Sequence, residues 1–559
     1  MKYKGKVSEE FITKAWDAYI RYRSDKENLH TRVRDNMATY RAAYSAMYDE
    51  QSNNTMPKTA YILSAVENKY ADYLDNYPMP NFLPREESDE DTAKLLSKLL
   101  PVQLEVSGFN KAYKADIRQK LITGTGIFGV FYDRNEKNID IKCLDILSVF
   151  CDMNVRDVQR SQFLFICDVM DNDKLKKLYP EYSELFDGDA DTIGYESDRI
   201  QQDRSEVIDC YYKKTDGSVH LLKFCHENVI AASEDMPGYE KGLYEHGLYP
   251  VVFDVMYPEA DNPFGFGLVD TTKNPQRYID RLDSAILKNA MLQAVPKWII
   301  NRNSGVNKEE FADMSKEIIE ANNVEENHIR KVEVAGMTAG IMQHRNQKIL
   351  ELKEVAANRD VSAGGTASGV TAASAITVLQ EAGDKQSRAM ISDSYDAYKE
   401  VIKMVIGIMR QFFDADRVYR ITDSSGKNEY KRFSRERLIR AEAVTDALGF
   451  PIDTRYKNIE FDIDIVPQKK NAFRRETNNQ TIIALWNNGF FAPQNLEAAA
   501  MVLPFFQFDG KEGIIQAVGE KIEEMKSQMQ SQQMMQGGGG GGAVPFPEEV
   551  KEEEGDGIE

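Results

Sequence analysis

The sequence predicts a helix-rich α+β fold, and three observations carry that expectation. Residues 6–56 contain no glycine or proline and place Tyr40, Tyr44 and Tyr48 at helical spacing. From Ile127 the pattern switches to short β-rich runs separated by turn residues. After Thr371, the 42 residues from Ala372 to Phe413 hold no proline and only two glycines.

In chain order, Lys6–Met56 reads as one or two long helices. A second helical segment, Lys58–Asn76, ends before Pro78 and Pro80, because the residue preceding proline disfavours the helical region. A third, Glu87–Thr123, follows an acidic opening turn. Ile127–Tyr132 and Ile139–Cys143 form a hairpin signal about Asp133–Glu136. Further strands are expected at Gln162–Val169, Glu206–Tyr212, Val219–Phe224 and Tyr249–Met256, with a short helix near Asn172–Phe186. Asn274-Pro275 reads as an N-cap with proline at the first helical position, and the helix runs to Val295 before Pro296.

A mixed segment follows, with a strand at Trp298–Asn301, a helix at Lys308–Ala321 and a strand at Arg330–Val334. A helix over His344–Arg359 leads to the loop Ser362–Gly369. Beyond Thr371, Ile376, Leu379, Gly383, Ser387, Met390, Ser394, Ala397, Val401, Met404 and Ile408 follow at spacings of three and four, one helical seam on the order of 60 Å long. Strands return at Arg417–Thr422, Tyr430–Phe433 and Glu460–Val466, and the remainder to Gln530 is helical. Residues 531–559 read as a frayed glutamine- and methionine-rich end, six glycines and an acidic disordered tail.

Composition narrows the function classes. The 559 residues are 42% hydrophobic and 29% charged, and the mean hydropathy is −0.51. That fits a soluble globular chain of several domains. Ninety acids against 70 bases give a net charge of −20, which argues against a protein built to grip nucleic acid. It leaves room for one that lets DNA slide past. No signal peptide is read at the N-terminus, where Lys14 and Asp17 interrupt any apolar run. The most apolar stretch, Val401–Phe413, carries Lys403 and Arg410 and is shorter than the ~20 residues of a membrane span. Five scattered cysteines point to a reducing cytoplasm rather than a disulfide framework.

The chemical motifs are weak. Gly124-Thr-Gly126-Ile-Phe-Gly129 matches GxGxxG, but a helix precedes it and a strand follows, the reverse of a phosphate-binding turn. No P-loop is present, since Gly426-Lys427 lacks the first glycine and the hydroxyl residue. Asp187, Asp189 and Asp191 resemble the start of a calcium loop, yet its sixth position is Thr192 and its twelfth Asp198. Glu460, Asp462 and Asp464 share one strand face, as any half-buried strand would show. Cys210, His220, Cys225 and His226 match no zinc spacing. We expect no catalysis, no metal and no cofactor.

What remains is a large structural chain with a glycine-rich loop and a long helix. The stretch Ser368-Gly-Val-Thr-Ala-Ala-Ser-Ala-Ile-Thr-Val-Leu-Gln-Glu-Ala-Gly383 resembles the segment where portal proteins of tailed bacteriophages begin their tunnel helix. The Leu121–Asp133 turn and strand, the Asn262–Asp270 approach to a helix and the late Phe461–Pro467 strand are similar to the same family in the same order. The resemblance covers residues 10–530. The rival readings are an enzyme with a GxGxxG cofactor loop and another viral structural or scaffold-type assembly protein.

The resemblance implies a ring-forming architecture with wing, stem, clip, tunnel helix and crown. Residues 1–265 and 414–466 would form the wing, 266–295 and 344–360 the two stem helices, and 296–343 the clip. Residues 361–371 would be the tunnel loop, 372–413 the tunnel helix, 467–530 the helical crown, and 531–559 the linker and tail. It further implies about twelve subunits at one capsid vertex of the virion, made in the bacterial cytoplasm. Double-stranded DNA would pass through without sequence specificity, driven by a terminase, with a head-to-tail adaptor and a capsid or scaffolding protein as further partners and no membrane. The tunnel loop would offer Gly364, Gly365, Thr366, Ser368 and Gly369 to the DNA, a set of small residues without an electrostatic trap. Arg345, Lys348, Lys353 and Arg359 would supply sparse positive charge, or serve as ordinary salt-bridge partners. Lys297, Trp298, Arg302 and Lys308 would lie where the clip meets its partners.

Overall fold

Ser8 opens the first helix. Its hydroxyl accepts the Phe11 amide at 3.4 Å, and Glu9 and Glu10 fill the first turn, where the helix dipole favours negative charge. The computed structural model describes residues 3, 5–42, 59–195, 198–239, 242–294, 297–301, 307, 309, 329–331, 336, 339–356, 385–413, 416–422, 428–445, 451–469, 483–490, 492, 499–500, 503 and 511–536. The expected N-terminal helical segment is two helices, α1 (Glu9–Asp25) and α2 (Glu27–Tyr40), and the next is α3 (Tyr61–Asp75). The joint at Lys26 is buried, and its ammonium donates to the carbonyls of Ile146 and Val149.

The third expected helix is a helical pair, α4 (Glu90–Val106) and α5 (Phe109–Thr123). The break is at Gly108, whose φ of +82° is the left-handed region that only glycine adopts freely. The adjacent Ser107 carbonyl then accepts the Ile141 amide at 2.9 Å, which ties the break to the sheet.

The expected hairpin is present as β2 (Thr125–Asp133) and β3 (Asn138–Cys143). With β11 (Val251–Val255) these make a three-stranded antiparallel sheet in the order β11-β2-β3. A five-stranded sheet runs β10-β9-β8-β5-β4, built from β4 (Val149–Cys151), β5 (Phe163–Asp171), β8 (Arg204–Lys213), β9 (Val219–Cys225) and β10 (Asn228–Ala232). The expected short helix is α6 (Asn172–Leu178), and further strands are β6 (Ala190–Thr192), β7 (Arg199–Gln201), β12 (Tyr257–Glu259), β13 (Asn262–Phe266), β16 (Arg417–Thr422), β17 (Asn428–Phe433), β18 (Ile439–Thr445) and β19 (Pro451–Asn458). Helix α1 lays Ala15, Tyr19 and Tyr22 on it, against Phe150, Phe163 and Phe165. The Tyr19 ring meets Phe150 edge-on at 5.6 Å, a favourable quadrupole geometry.

Two further departures from the sequence reading matter. The long outgoing helix α7 spans Leu268–Ala294, so it starts six residues before Asn274 and carries Pro275 inside. Its first turn is secured by Asp270, which accepts the Gly267 amide at 2.9 Å, and by burial of Leu268, Val269 and Thr272. The segment with Pro78 and Pro80, read from the sequence only as the end of a helix, forms β1 (Asn76–Pro84), paired antiparallel with β20 (Phe461–Lys469). Pro78 faces Pro467, so the even-numbered positions of β1 are the non-hydrogen-bonded pairs. Pro78, Pro80 and Pro84 therefore cost the ladder nothing, and the outward amide of Phe82 donates to Ser97 Oγ at 2.9 Å.

The returning helix α8 spans Ala339–Val355, and the long helix α9 is described over Lys385–Phe412. If subunits assemble through the Ile376–Ile408 seam, a lone subunit should leave it bare; Ile376, Leu379 and Gly383 lie outside the described residues. Instead Ser387, Met390, Ser394, Ala397, Val401, Met404 and Ile408 are all buried within the chain. Tyr398 fills the gap between α5 and the three-stranded sheet, against Phe109, Tyr113 and Phe128. Tyr132 stacks on Phe412 at 4.1 Å.

Apart from β16 and β17, which run across its boundaries, these elements belong to one compact unit, Met1–Tyr419 with Arg432–Lys469. The second unit comprises Arg420–Lys431 with Lys470–Glu559. Within it, α10 (Lys511–Gln536) brings Val518 against Ala499 and Leu503.

Candidate channel and docking segments

Helices α7 and α8 form an antiparallel hairpin, as their contacts show. Asp283 pairs with Arg345, and five residues earlier Tyr278 lies under Lys348 at 5.8 Å. Both Asp283 oxygens accept from the Arg345 guanidinium, Nη2 at 2.9 Å, and this hydrogen bonding holds the arginine above its ordinary pKa. The Tyr278 ring also meets His344 edge-on at 5.9 Å. Between the helices, β14 (Trp298–Ile300) pairs antiparallel with β15 (Ile329–Lys331).

The hairpin leaves its own subunit as it goes. Leu268, Val269, Thr272, Gln276, Ile279 and Asp280 anchor the first half of α7, and none of its described residues beyond Asp280 is buried. On α8 only Leu352 is buried. The outer half nevertheless carries apolar side chains, with Leu287 43% exposed, Met291 56% and Met342 47%, and nearer the body Leu350 is 62% exposed. On β14, Trp298 and Ile299 are 45% and 61% exposed. Exposed apolar side chains on both helices, on an otherwise acidic and polar chain, are suited to an interaction site.

The sequence-predicted site residues fall unevenly. Arg345 is engaged by Asp283, and Lys348 pairs with Glu351 at 2.7 Å, so both serve as salt-bridge partners within the hairpin. Lys353 is partly buried on α8. Lys297 and Trp298 are exposed side by side at the start of β14. Gly364, Gly365, Thr366, Ser368, Gly369, Arg359, Arg302 and Lys308 lie outside the described residues, as does the expected helix 308–321.

The weak motifs resolve into ordinary structure. Gly124 caps the C-terminus of α5 at φ +96°, and β2 follows. Arg85 pairs with both Glu460 and Asp462 on an exposed face. Asp187 pairs with Lys176, and Asp189 accepts the Asp203 amide. Cys210 and Cys225 are buried, and His220 lies between the hydroxyls of Ser218 and Ser233. Among the described residues no group of histidine, cysteine and carboxylate side chains could hold a metal ion.

A family model described as phage P22-like portal protein matches residues 47–226 and 213–538, most of the chain. The chain belongs to the phage P22-like portal protein family. That family is structural and non-enzymatic, which removes the cofactor-loop reading of Gly124–Gly129. Membership implies an oligomeric ring associated with capsid and DNA, at the portal vertex. No curated protein matches the chain closely. No helix among the described residues is long and apolar enough to cross a membrane.

Sequence reasoning missed the exposed apolar row of the portal chain's hairpin. The signal was there in Leu287, Met291, Met342 and Leu350, which interrupt charged stretches, but without the packing it reads as core. It also missed the buried lysines Lys69 and Lys120, which composition alone assigns to the surface.

Proposed function

We propose that this chain assembles into a closed portal ring of about twelve subunits, through which a terminase packages double-stranded DNA and from which the DNA is later ejected. The observation that carries the reading is the α7/α8 hairpin, whose apolar side chains Leu287, Met291, Met342 and Leu350 stand exposed as it leaves the body of the subunit. In a ring each hairpin lies against the next, and Leu287, Met291 and Leu350 become core between subunits. Residues 266–295 and 344–360 then act as the stem, 296–343 as the clip, 361–371 as the tunnel loop and 372–413 as the tunnel helix. Residues 1–265 and 414–466 act as the wing, and 467–530 as the crown.

Charge supports passage rather than grip. Twelve subunits at −20 each carry −240, which repels phosphate from most of a channel wall. The exposed Lys297 and Trp298 are suited to docking the terminase large subunit and, after packaging, the head-to-tail adaptor, while a capsid or scaffolding protein receives the wing. The direct test is native mass with negative-stain imaging. Twelve subunits of 63.6 kDa give about 763 kDa and ring particles with a central channel. A stable monomer at micromolar concentration overturns the reading.

A further inference from the structure

Two lysines on different helices reach the long helix α9 at positions seven residues apart. Lys69 on α3 is 3% exposed, and its ammonium donates to Ser387 Oγ at 2.6 Å. Ser387 in turn donates to Asp72 Oδ2 at 2.8 Å, so its hydroxyl is both accepted from and passed on. Lys120 on α5 is fully buried, donates to Ser394 Oγ and pairs with Asp254 Oδ1 at 2.6 Å. Ser394 donates to the Met390 carbonyl at 3.2 Å. The two serines share one face of α9, two turns apart.

We propose that Lys69 and Lys120 are positioning residues which set the axial register of α9 through Ser387 and Ser394. Farther along α9 they are joined by Tyr395, which donates to the Asn76 carbonyl at 3.0 Å, and Gln411, which donates to the Leu243 carbonyl at 3.3 Å; the apolar part of the seam adds little to register. Met390, Ala397, Val401, Met404 and Ile408 bury apolar area, which is non-directional and tolerates a slide of one turn. The lysines do not tolerate it. A slide of four residues one way brings Ile391 and Tyr398 to the places of the serines, and the other way brings Met390 to the place of Ser394. Either leaves a buried ammonium facing a side chain that offers it much less, and buried polar groups fix register for that reason.

The charge around the second lysine sharpens the point. Asp116 is fully buried and neither of its oxygens has a hydrogen-bond partner. Burial and the neighbouring Asp254 push its pKa well up and so disfavour its charged form, while Asp254 is the counter-ion of Lys120. Tyr73, whose ring lies 5.5 Å from the ammonium, adds only a weak attraction. Ser394 is thus the group on α9 that directly completes the Lys120 site.

The register itself is a property of this subunit's fold. Its bearing on DNA passage, through the loop that α9 continues, rests on the portal reading, and native mass tests that separately. The experiment here is a distance measurement between spin labels at Lys111→Cys and Asp396→Cys, both exposed, with labelled chains diluted into unlabelled ones. The parent should give one narrow distance. S387A/S394A should give two populations displaced along the helix by about one turn, ~5.4 Å. If the double variant does not fold, S387A and S394A are read singly. The parental distance in every folded variant overturns the proposal, and so does failure of all three to fold, because a lost register key predicts a folded chain with a misplaced helix.

Discussion

His30 is buried and His246 half-buried, and in each the ring nitrogen Nε2 lacks a partner. Burial is the main cause that pulls their pKa values down, to about 3 and about 4, with Lys26 adding to the effect at His30. The unfolded chain takes up protons near pH 6.5 while the folded chain does not. The stability these residues lend is therefore full above about pH 6.5 and lost as pH falls toward 4. Between pH 6.5 and 5 the loss is at most about 2 kcal/mol per histidine. Calorimetry at pH 7 and pH 5 should show a drop in Tm that His246→Gln reduces. An equal drop in both proteins would remove His246 from the account. Gly124 makes a second residue-scale prediction. A Cβ there would stand 2.5 Å from the Gly265 carbonyl oxygen, at a φ of +96°. Gly124→Ala should cost about 2 kcal/mol or more in chemical denaturation, with no saturable nucleotide binding before or after. The glycine motif was visible in the sequence, and the order helix-then-strand already separated it from a phosphate loop.

At the scale of elements, the hairpin β2/β3 and the strands β5, β8 and β9 were legible because period-two patterning and turn residues agree there. The break at Gly108 was not, since one glycine in a helical pattern reads as tolerated until the sheet claims Ser107. Strand β1 was hidden by its prolines, which signal an ending unless the register puts them between hydrogen bonds. Of the candidate site, the helix–insert–helix order was readable but the bare apolar row was not, because exposure is a property of packing. That row yields a prediction. Leu287→Ser with Met291→Ser should leave Tm within about 2 °C, since both side chains face water in the subunit, yet abolish the ring in native mass spectrometry. A ring of unchanged mass would mean that subunits meet elsewhere. Trp298→Ala should likewise keep the protein soluble and weaken only clip docking, because the indole is already half exposed. Insolubility would contradict that.

At the scale of the whole molecule, the seam expected to lie bare on a lone subunit is interior along the described part of α9, and under the proposed function the hairpin takes over the role of subunit contact. Shortening Ser362–Gly369 should then spare folding and ring formation but reduce genome packaging or retention in assembled virions; wild-type packaging would show that this loop does not meet DNA. The β1–β20 pair adds a constraint in time. The partner of β1 lies some 380 residues downstream, so on the ribosome β1 is made and then waits. At 5–20 residues per second that wait is roughly 20 to 75 s. During it one edge of the strand is already sealed by Pro78, Pro80, Pro84 and the Ser97 bond, while the other stands open. The last strand of this unit to be synthesised is thus the one that closes its first. A nascent chain therefore cannot complete this unit, and so cannot offer its finished surface to a neighbour, until residue 469 has been made.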